Sequence, residues 1–423
     1  MTKKGVSMAN RIDIPTLTGL RFFAALFVCL AHAVPLLLPV TGNMPIWQVA
    51  ATRLSAEGMT LFFVLSGFVI HYNYSSSILA SPSIGLYRFV IARFARLYPL
   101  YFVCLSADWI RLALSSQLHT DFLRAIPYFL TLTMSWIYSP IHGRALIYQF
   151  GQMPSVSWSI STEWFFYLAY PAICFGLARM NHDAKSHKRF LSAAAIVSLT
   201  TVMLIAYASI NSSALNNFAI QYFNPIMESR QHNDSFYRWL VYFSPYSRIS
   251  EFMLGCIVAA VYLRRQNSVP SKREERFGLV LLIGALTSIM VLQYAIFNPP
   301  NLSWLAWVPS LHQCFGFAPS VAIIIYCCAR YQNYLTRFFA HPFILLGGEV
   351  SYSFYLLHSP IITLFARHAD KMTSFQNAAY DGALLIIALA AVFGAALLSY
   401  RVIEVPARRW LRNKLMAQDP IAA

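Results

Sequence analysis

The chain holds 423 residues, of which 58% are hydrophobic and only 11% charged. Soluble globular chains carry about 25% charged residues, so the composition excludes an ordinary water-soluble enzyme. A net charge of +16 would suit a nucleic-acid partner only if the basic residues lined one folded face. Here they fall in short clusters between apolar runs, so lipid is the expected partner and nucleic acid is not. The fold class that follows is an all-α polytopic membrane protein, a single bundle of about ten transmembrane helices.

The first apolar run opens near Leu17 behind Lys3, Lys4 and Arg11, and it is too long and too aromatic for a cleavable signal. Spans are predicted over 17–39, 59–78, 97–115, 156–178, 190–210, 244–263, 277–297, 306–329, 343–366 and 382–402. A further apolar stretch, 122–138, holds Arg124 and Pro127. Leaving it uncrossed, with the N-terminus cytoplasmic, puts 22 of the 32 Lys and Arg residues on the inside. The tendency of basic residues to stay cytoplasmic then gives ten spans and cytoplasmic N- and C-termini, with 122–138 at the outer surface or re-entrant. The organisation is a cytoplasmic segment 1–16, a transmembrane domain 17–410 and a cytoplasmic tail 411–423. The polar, Asn-rich loop 211–243 is a candidate cover over an outward-facing cavity. The seven cysteines sit almost wholly in apolar runs without metal-like spacing, so neither a metal site nor a disulfide frame is expected.

Ionisable groups inside spans are costly and mark function by default. Arg21 and His32 lie eleven residues apart in span one, which is three helical turns plus about 20°. Both therefore project from one face, separated by about 16 Å along the axis. Singly they read as a snorkelling arginine and a packing histidine; together they suit the two ends of one ligand. Arg93 and Arg96 open span three in Arg93-Phe94-Ala95-Arg96-Leu97-Tyr98-Pro99. Their spacing stacks two guanidiniums on one side, and guanidinium forks match phosphate oxygens; a plain positive-inside cluster fits that spacing equally. Glu163, in Trp158-Ser159-Ile160-Ser161-Thr162-Glu163, must find a partner or be protonated. Glu251 and His358 pose the same question, and Glu57 reads as interfacial. In Phe62-Phe63-Val64-Leu65-Ser66-Gly67-Phe68 the small residues allow close helix approach, expected between span one and its neighbour, and Ser66 is not surrounded as a nucleophile would be.

Taken in order, these segments resemble one family, the integral membrane acyltransferases of acyltransferase family 3, from about Arg11 to Trp410. The resemblance rests on Gly19-Leu20-Arg21 ahead of His32, Leu61 to Phe68, Arg93 to Pro99, Trp158 to Glu163 with Phe166-Tyr167, Ser351-Tyr352-Ser353-Phe354-Tyr355-Leu356-Leu357-His358-Ser359-Pro360, and Glu404-Val405-Pro406. It implies a ten-span core in a bacterial cytoplasmic (inner) membrane. It also implies an enzyme that moves an acyl group, often acetyl, from cytoplasmic acyl-coenzyme A to a hydroxyl of a surface sugar or polysaccharide precursor. His32 resembles the family's catalytic histidine, acting as base or as acyl carrier, and Glu163 matches the acid of its tryptophan-serine motif. Arg21 resembles the histidine's partner arginine; with Arg93 and Arg96, which match the paired arginines associated with coenzyme A, it is expected to bind the donor. Ser66, Tyr98, Tyr352 and His358 fall to substrate contact or structural support. The implied partners are lipid, acyl-coenzyme A as co-substrate and a glycan acceptor, with no metal and no permanently bound cofactor. One departure stands out: many members carry Gly-Val-Asp ahead of the Phe-Phe of span two, where this chain has Gly58-Met59-Thr60, with Glu57 the nearest carboxylate. The alternative expectation is a transporter or flippase of an anionic lipid-linked sugar, because buried charges also line transport pathways.

Overall fold

A computed structural model describes residues 14–38, 45–115, 120–141, 144–148, 156–181, 185–223, 235–298, 302, 305–369 and 378–416. Most of the predicted N-terminal segment, the last residues of the predicted tail and the middle of the 211–243 loop lie outside them. The first helices are α1 (Pro15–Leu37), α2 (Ile46–Ala80), α3 (Pro82–Leu114), α4 (Thr120–Leu130) and α5 (Trp158–Met180). There follow α6 (Ser186–Ile210), α7 (Ser212–Phe223), α8 (Pro245–Arg265), α9 (Lys272–Phe297) and α10 (Ala318–Arg330). The chain closes with α11 (Tyr334–Phe339), α12 (Pro342–Glu349), α13 (Ser351–Ala369), α14 (Ala378–Ser399) and α15 (Val405–Met416). Strands β1 (Pro140–Ile141) and β2 (Arg144–Ala145) form one small antiparallel hairpin, with Pro140 opposite Ala145 and Ile141 opposite Arg144.

Among the described residues seven helical stretches are long and apolar enough to cross a membrane: Pro15–Leu37, Trp47–Ala80, Pro82–Leu114, Ser186–Ile210, Phe236–Arg265, Lys272–Ile296 and Tyr380–Leu415. The chain is an all-α integral membrane protein. The three other predicted spans coincide with helices of a different character. α5 carries Ser159, Ser161 and Glu163, and α13 carries Ser351, Ser353 and His358; these polar groups dilute the hydropathy of helices whose side chains meet one another rather than lipid. α10 has only 13 residues, about 20 Å of helix, and is preceded by irregular backbone.

That irregular approach, 305–317, is held from α8. Phe315 has a left-handed backbone, φ 67°, and its N–H donates to Glu251 Oε1 at 2.9 Å. Arg248 Nη2 donates to the Gln313 carbonyl at 2.5 Å and Nε to the Tyr242 carbonyl at 2.9 Å. The two side chains pair at 3.0 Å with both fully buried, and Thr60 adds a 2.8 Å bond to Glu251 Oε1. Non-helical backbone away from water survives only where protein satisfies its polar groups, and this pair does so; that accounts for Glu251. Glu251→Ala would strand a buried guanidinium, at a cost of about 3–5 kcal/mol. A fall in detergent melting temperature checks it, and an unchanged value would contradict this role.

The stretch 122–138 is not one continuous helix. α4 has 11 residues, about 16 Å, and its C-terminal carbonyls are capped from α3: Tyr101 donates to Phe129 O at 2.7 Å and Tyr98 to Leu130 O at 3.1 Å. The turn beyond it is bolted to α5, where Ser135 N donates to Ser161 Oγ at 3.1 Å and Trp136 Nε1 to the Ser161 carbonyl at 2.9 Å.

Two helix crossings set the site's frame. A Cβ on Gly58 would lie 2.7 Å from the Ala24 carbonyl oxygen, so α2 meets α1 there. The Ser66-Gly67 stretch, expected against span one, instead meets α8: a Cβ on Gly67 would fall 2.0 Å from the Phe252 carbonyl oxygen, and one on Gly255 equally close to that of Val64. The correction has a simple cause, since small residues permit close approach without naming the partner.

Candidate active site

Five helices converge on one cleft of about 710 Å³, counted with the space open at its mouth. Arg21 enters from α1, Ser66 with Phe62, Phe63 and Met59 from α2, and Arg93 and Arg96 from α3. α5 supplies Glu163, Tyr167 and Ser159, and α13 supplies Ser351, Tyr352 and Tyr355. Helical spacing explains the convergence: Arg93 and Arg96 share a face at i, i+3, as do Glu163 and Tyr167 at i, i+4. Apolar walls with a few convergent polar groups are the pattern of small-molecule sites.

The cleft is cationic. Glu163 is held in place, its Oε1 accepting from Ser66 Oγ at 2.7 Å and from Tyr167 OH at 2.5 Å. Arg93 donates from Nη2 to Tyr74 OH at 2.7 Å, and its guanidinium lies 4.9 Å from the Tyr74 ring centroid. Its Nε is buried with no partner. Among the described residues no ion pair neutralises Arg21, Arg93 or Arg96. Three guanidiniums against one carboxylate, walled by aromatic rings, make a receptor for an anion larger than a single carboxylate.

His32 stands apart from this cleft. It projects from the same helix as Arg21 toward α13, as the spacing predicts, but its ring is exposed and does not line the cavity. Its partner is His358. His32 Nδ1 and His358 Nε2 are 3.0 Å apart, and the rings stack with centroids 5.1 Å apart. His358 is fully buried, and its Nδ1 lies 2.5 Å from the Tyr355 carbonyl oxygen. A carbonyl only accepts, so His358 Nδ1 carries the proton and its Nε2 is the acceptor. His32 Nδ1 must then be the donor. This relay leaves the lone pair of His32 on Nε2, the form a base or nucleophile needs.

Tyr355 is the partition between the two features. Its side chain lines the cleft, with its hydroxyl donating to the Val156 carbonyl and accepting from Ser159 Oγ, each at 2.8 Å. Its ring packs edge-on against Phe62, centroids 5.7 Å apart, while its carbonyl orients His358.

The remaining predicted residues divide accordingly. Tyr352 lines the cleft and donates to the Leu97 carbonyl at 2.5 Å. Tyr98 caps α4 and is structural. Glu163, for which the motif match implies a catalytic role, makes no hydrogen bond to His32; it lines the arginine cleft, held there by Ser66 and Tyr167. Neither Glu57 nor Thr60 orients His32, and Thr60 is engaged by Glu251. Sequence reasoning missed Arg248 and Tyr355. The i, i+3 spacing of Arg248 and Glu251 was the available signal for the first, and there was none for the partition. All seven cysteines are buried and free, and no metal-binding group of side chains occurs among the described residues.

A family model described as an acyltransferase domain, Acyl_transf_3, matches residues 14–401. Acyltransferase MdmB of Streptomyces mycarofaciens is 26% identical over 421 residues, covering 97% of this chain and 95% of that protein. Peptidoglycan O-acetyltransferase OatA of Listeria monocytogenes is 24% identical over 96% of this chain, and O-acetyltransferase OatA of Staphylococcus aureus is 24% identical over 94%. In both OatA proteins the match spans 57% of the relative's own length. No solved structure matches.

Proposed function

Because the chain belongs to the Acyl_transf_3 family of acyltransferases, we propose that it carries an acyl group, acetyl being the simplest, from cytoplasmic acyl-coenzyme A to a hydroxyl of a sugar or glycan acceptor. In this reading ten spans place both termini in the cytoplasm of a bacterial cell and open the arginine cleft inward. The donor's phosphates rest on Arg93, Arg96 and Arg21, and the pantetheine arm runs along α1 past the Tyr355–Phe62 pair to His32. The observation that carries the proposal is the pairing of an un-neutralised arginine cleft with a histidine whose Nε2 lone pair is fixed by a second histidine. The peptidoglycan and O-acetyl chemistry in the relatives' names supports a hydroxyl acceptor.

The step balances simply. His32 Nε2 takes the proton of the acceptor hydroxyl as its oxygen bonds to the thioester carbonyl carbon. The carbon–sulfur bond then breaks, and the thiolate leaves with the proton from the imidazolium, giving an ester and free coenzyme A. Purified protein in liposomes, given acetyl-coenzyme A and a sugar acceptor, should release free thiol in step with ester. A transporter releases none, and that result would refute the proposal.

His358 acts through His32 and is a positioning residue. His358→Ala should lower kcat by up to about 10⁴-fold, by analogy with orienting groups of catalytic histidines, and leave the donor KM in place. His358→Gln, whose amide oxygen also accepts from His32 Nδ1, should recover part of the loss. Equal losses in both variants would reduce His358 to packing.

A further inference from the structure

α15 continues α14 through the wide helical stretch Tyr400–Glu404 and packs along α3. Two contacts set its register. Tyr87 OH donates to the Leu415 carbonyl at 2.8 Å, and buried Glu404, held by Ser353 at 3.0 Å, lies beside Arg96. The helices therefore run antiparallel. Steps of four residues from Glu404 keep to one helix face, and they bring Arg408 to the level of Arg93 and Arg412 to that of Phe89. Arg408 and Arg96 are both within electrostatic reach of Glu404, and Arg412 and Arg96 are within reach of the Tyr74 hydroxyl that Arg93 engages. Neither Arg408 nor Arg412 has an ion-pair partner among the described residues. Exposed Trp410 and Lys414 turn to another side of the helix, where the Lys414 ammonium lies 4.9 Å from the Trp410 ring centroid.

The cleft's arginines thus continue outward as a row of guanidiniums, with the Glu404 carboxylate between Arg96 and Arg408. From the level of Arg96 to that of Arg412 is about 12 Å along the helices. Such a row suits a ligand carrying more than one anionic group, spaced along its length. We propose that Arg408 and Arg412 form an outer anion subsite at the mouth of the cleft, which takes the phosphate on the nucleoside end of the donor while Arg93 and Arg96 hold its diphosphate. The inference rests on the acyl-coenzyme A reading and adds the C-terminal helix to donor recognition.

The test compares acetyl-coenzyme A with its 3′-dephospho analogue, using full-length protein in vesicles with and without anionic lipid. The wild type should prefer the complete donor. In R408Q/R412Q the KM for acetyl-coenzyme A should rise about tenfold, the worth of one partly solvated charged hydrogen bond. The KM for the dephospho donor should barely move, so the preference collapses. K414Q should keep the preference. Survival of the preference in the double variant, or an equal rise for both donors, overturns the subsite while leaving the enzyme's activity standing. A shift seen only with anionic lipid overturns it too, by assigning these arginines to headgroups. A wild type that releases coenzyme A from neither donor refutes the functional reading itself, and the subsite with it.

Discussion

His32→Ala is expected to lower acyl transfer by about 10²–10⁴-fold, the usual contribution of a positioned general base, without unfolding the bundle. The side chain is exposed, and its side-chain partner is His358. Deleting it therefore opens no core cavity, and the protein should purify and melt like the wild type. The loss should fall on kcat, because the arginine cleft that binds the donor is intact. A variant with a phenol or amide at position 32 should fare no better than alanine, since neither offers a lone pair of comparable basicity. The check is coenzyme A release at saturating donor; a well-folded His32→Ala turning over at the wild-type rate would remove His32 from the chemistry.

Arg93→Ala together with Arg96→Ala should act oppositely, on the donor KM. Hydrogen bonds to charged groups contribute about 1.5–3 kcal/mol each, so losing two should raise the KM on the order of 100-fold or more. Salt should weaken wild-type binding more steeply than that of the double variant, because fewer charges remain to be screened. Arg93 also holds Tyr74, so Arg93→Lys is the sharper probe: it keeps a charge and gives up the planar fork that grips two oxygens at once. A double variant with an unchanged donor KM would take coenzyme A out of this cleft.

Much of the frame is legible in the chain itself. Helical arithmetic places Arg21 and His32 on one face of α1, and both do turn toward α13; the same arithmetic pairs Arg93 with Arg96 in the cleft. Charge distribution argues against a crossing at 122–138, and the helix found there, α4, has 11 residues. Helix ends are less legible. α2 begins at Ile46 and α3 at Pro82, well ahead of the predicted 59 and 97, because a hydropathy pattern registers contact with lipid and not helices that bury polar turns against each other. The contacts that give the site its chemistry are the least legible. His32 and His358 are 326 residues apart, and Ser66 meets Glu163 from another helix. No periodicity encodes which distant helix faces which. The missing aspartate near Thr60 pointed to an absent acidic partner for His32, whereas the structure supplies a histidine whose own proton is fixed by the Tyr355 carbonyl.

The division at Tyr355 also bears on how transfer is kept from becoming hydrolysis. Tyr355 and Phe62 line the arginine cleft and His32 does not, so under the proposed function a thioester would meet His32 only after passing the Tyr355–Phe62 pair. Excluding water until both substrates are seated is a recognised way to protect a reactive acyl group.

The most direct measurement of the account is an experimental structure of the protein with coenzyme A bound. The account predicts the diphosphate on Arg93 and Arg96, the arm lying along α1 with Tyr355 displaced, and the sulfur beside His32 Nε2. Coenzyme A seated in the cleft with its sulfur turned back toward the mouth, and Tyr355 still closed over His358, would contradict it.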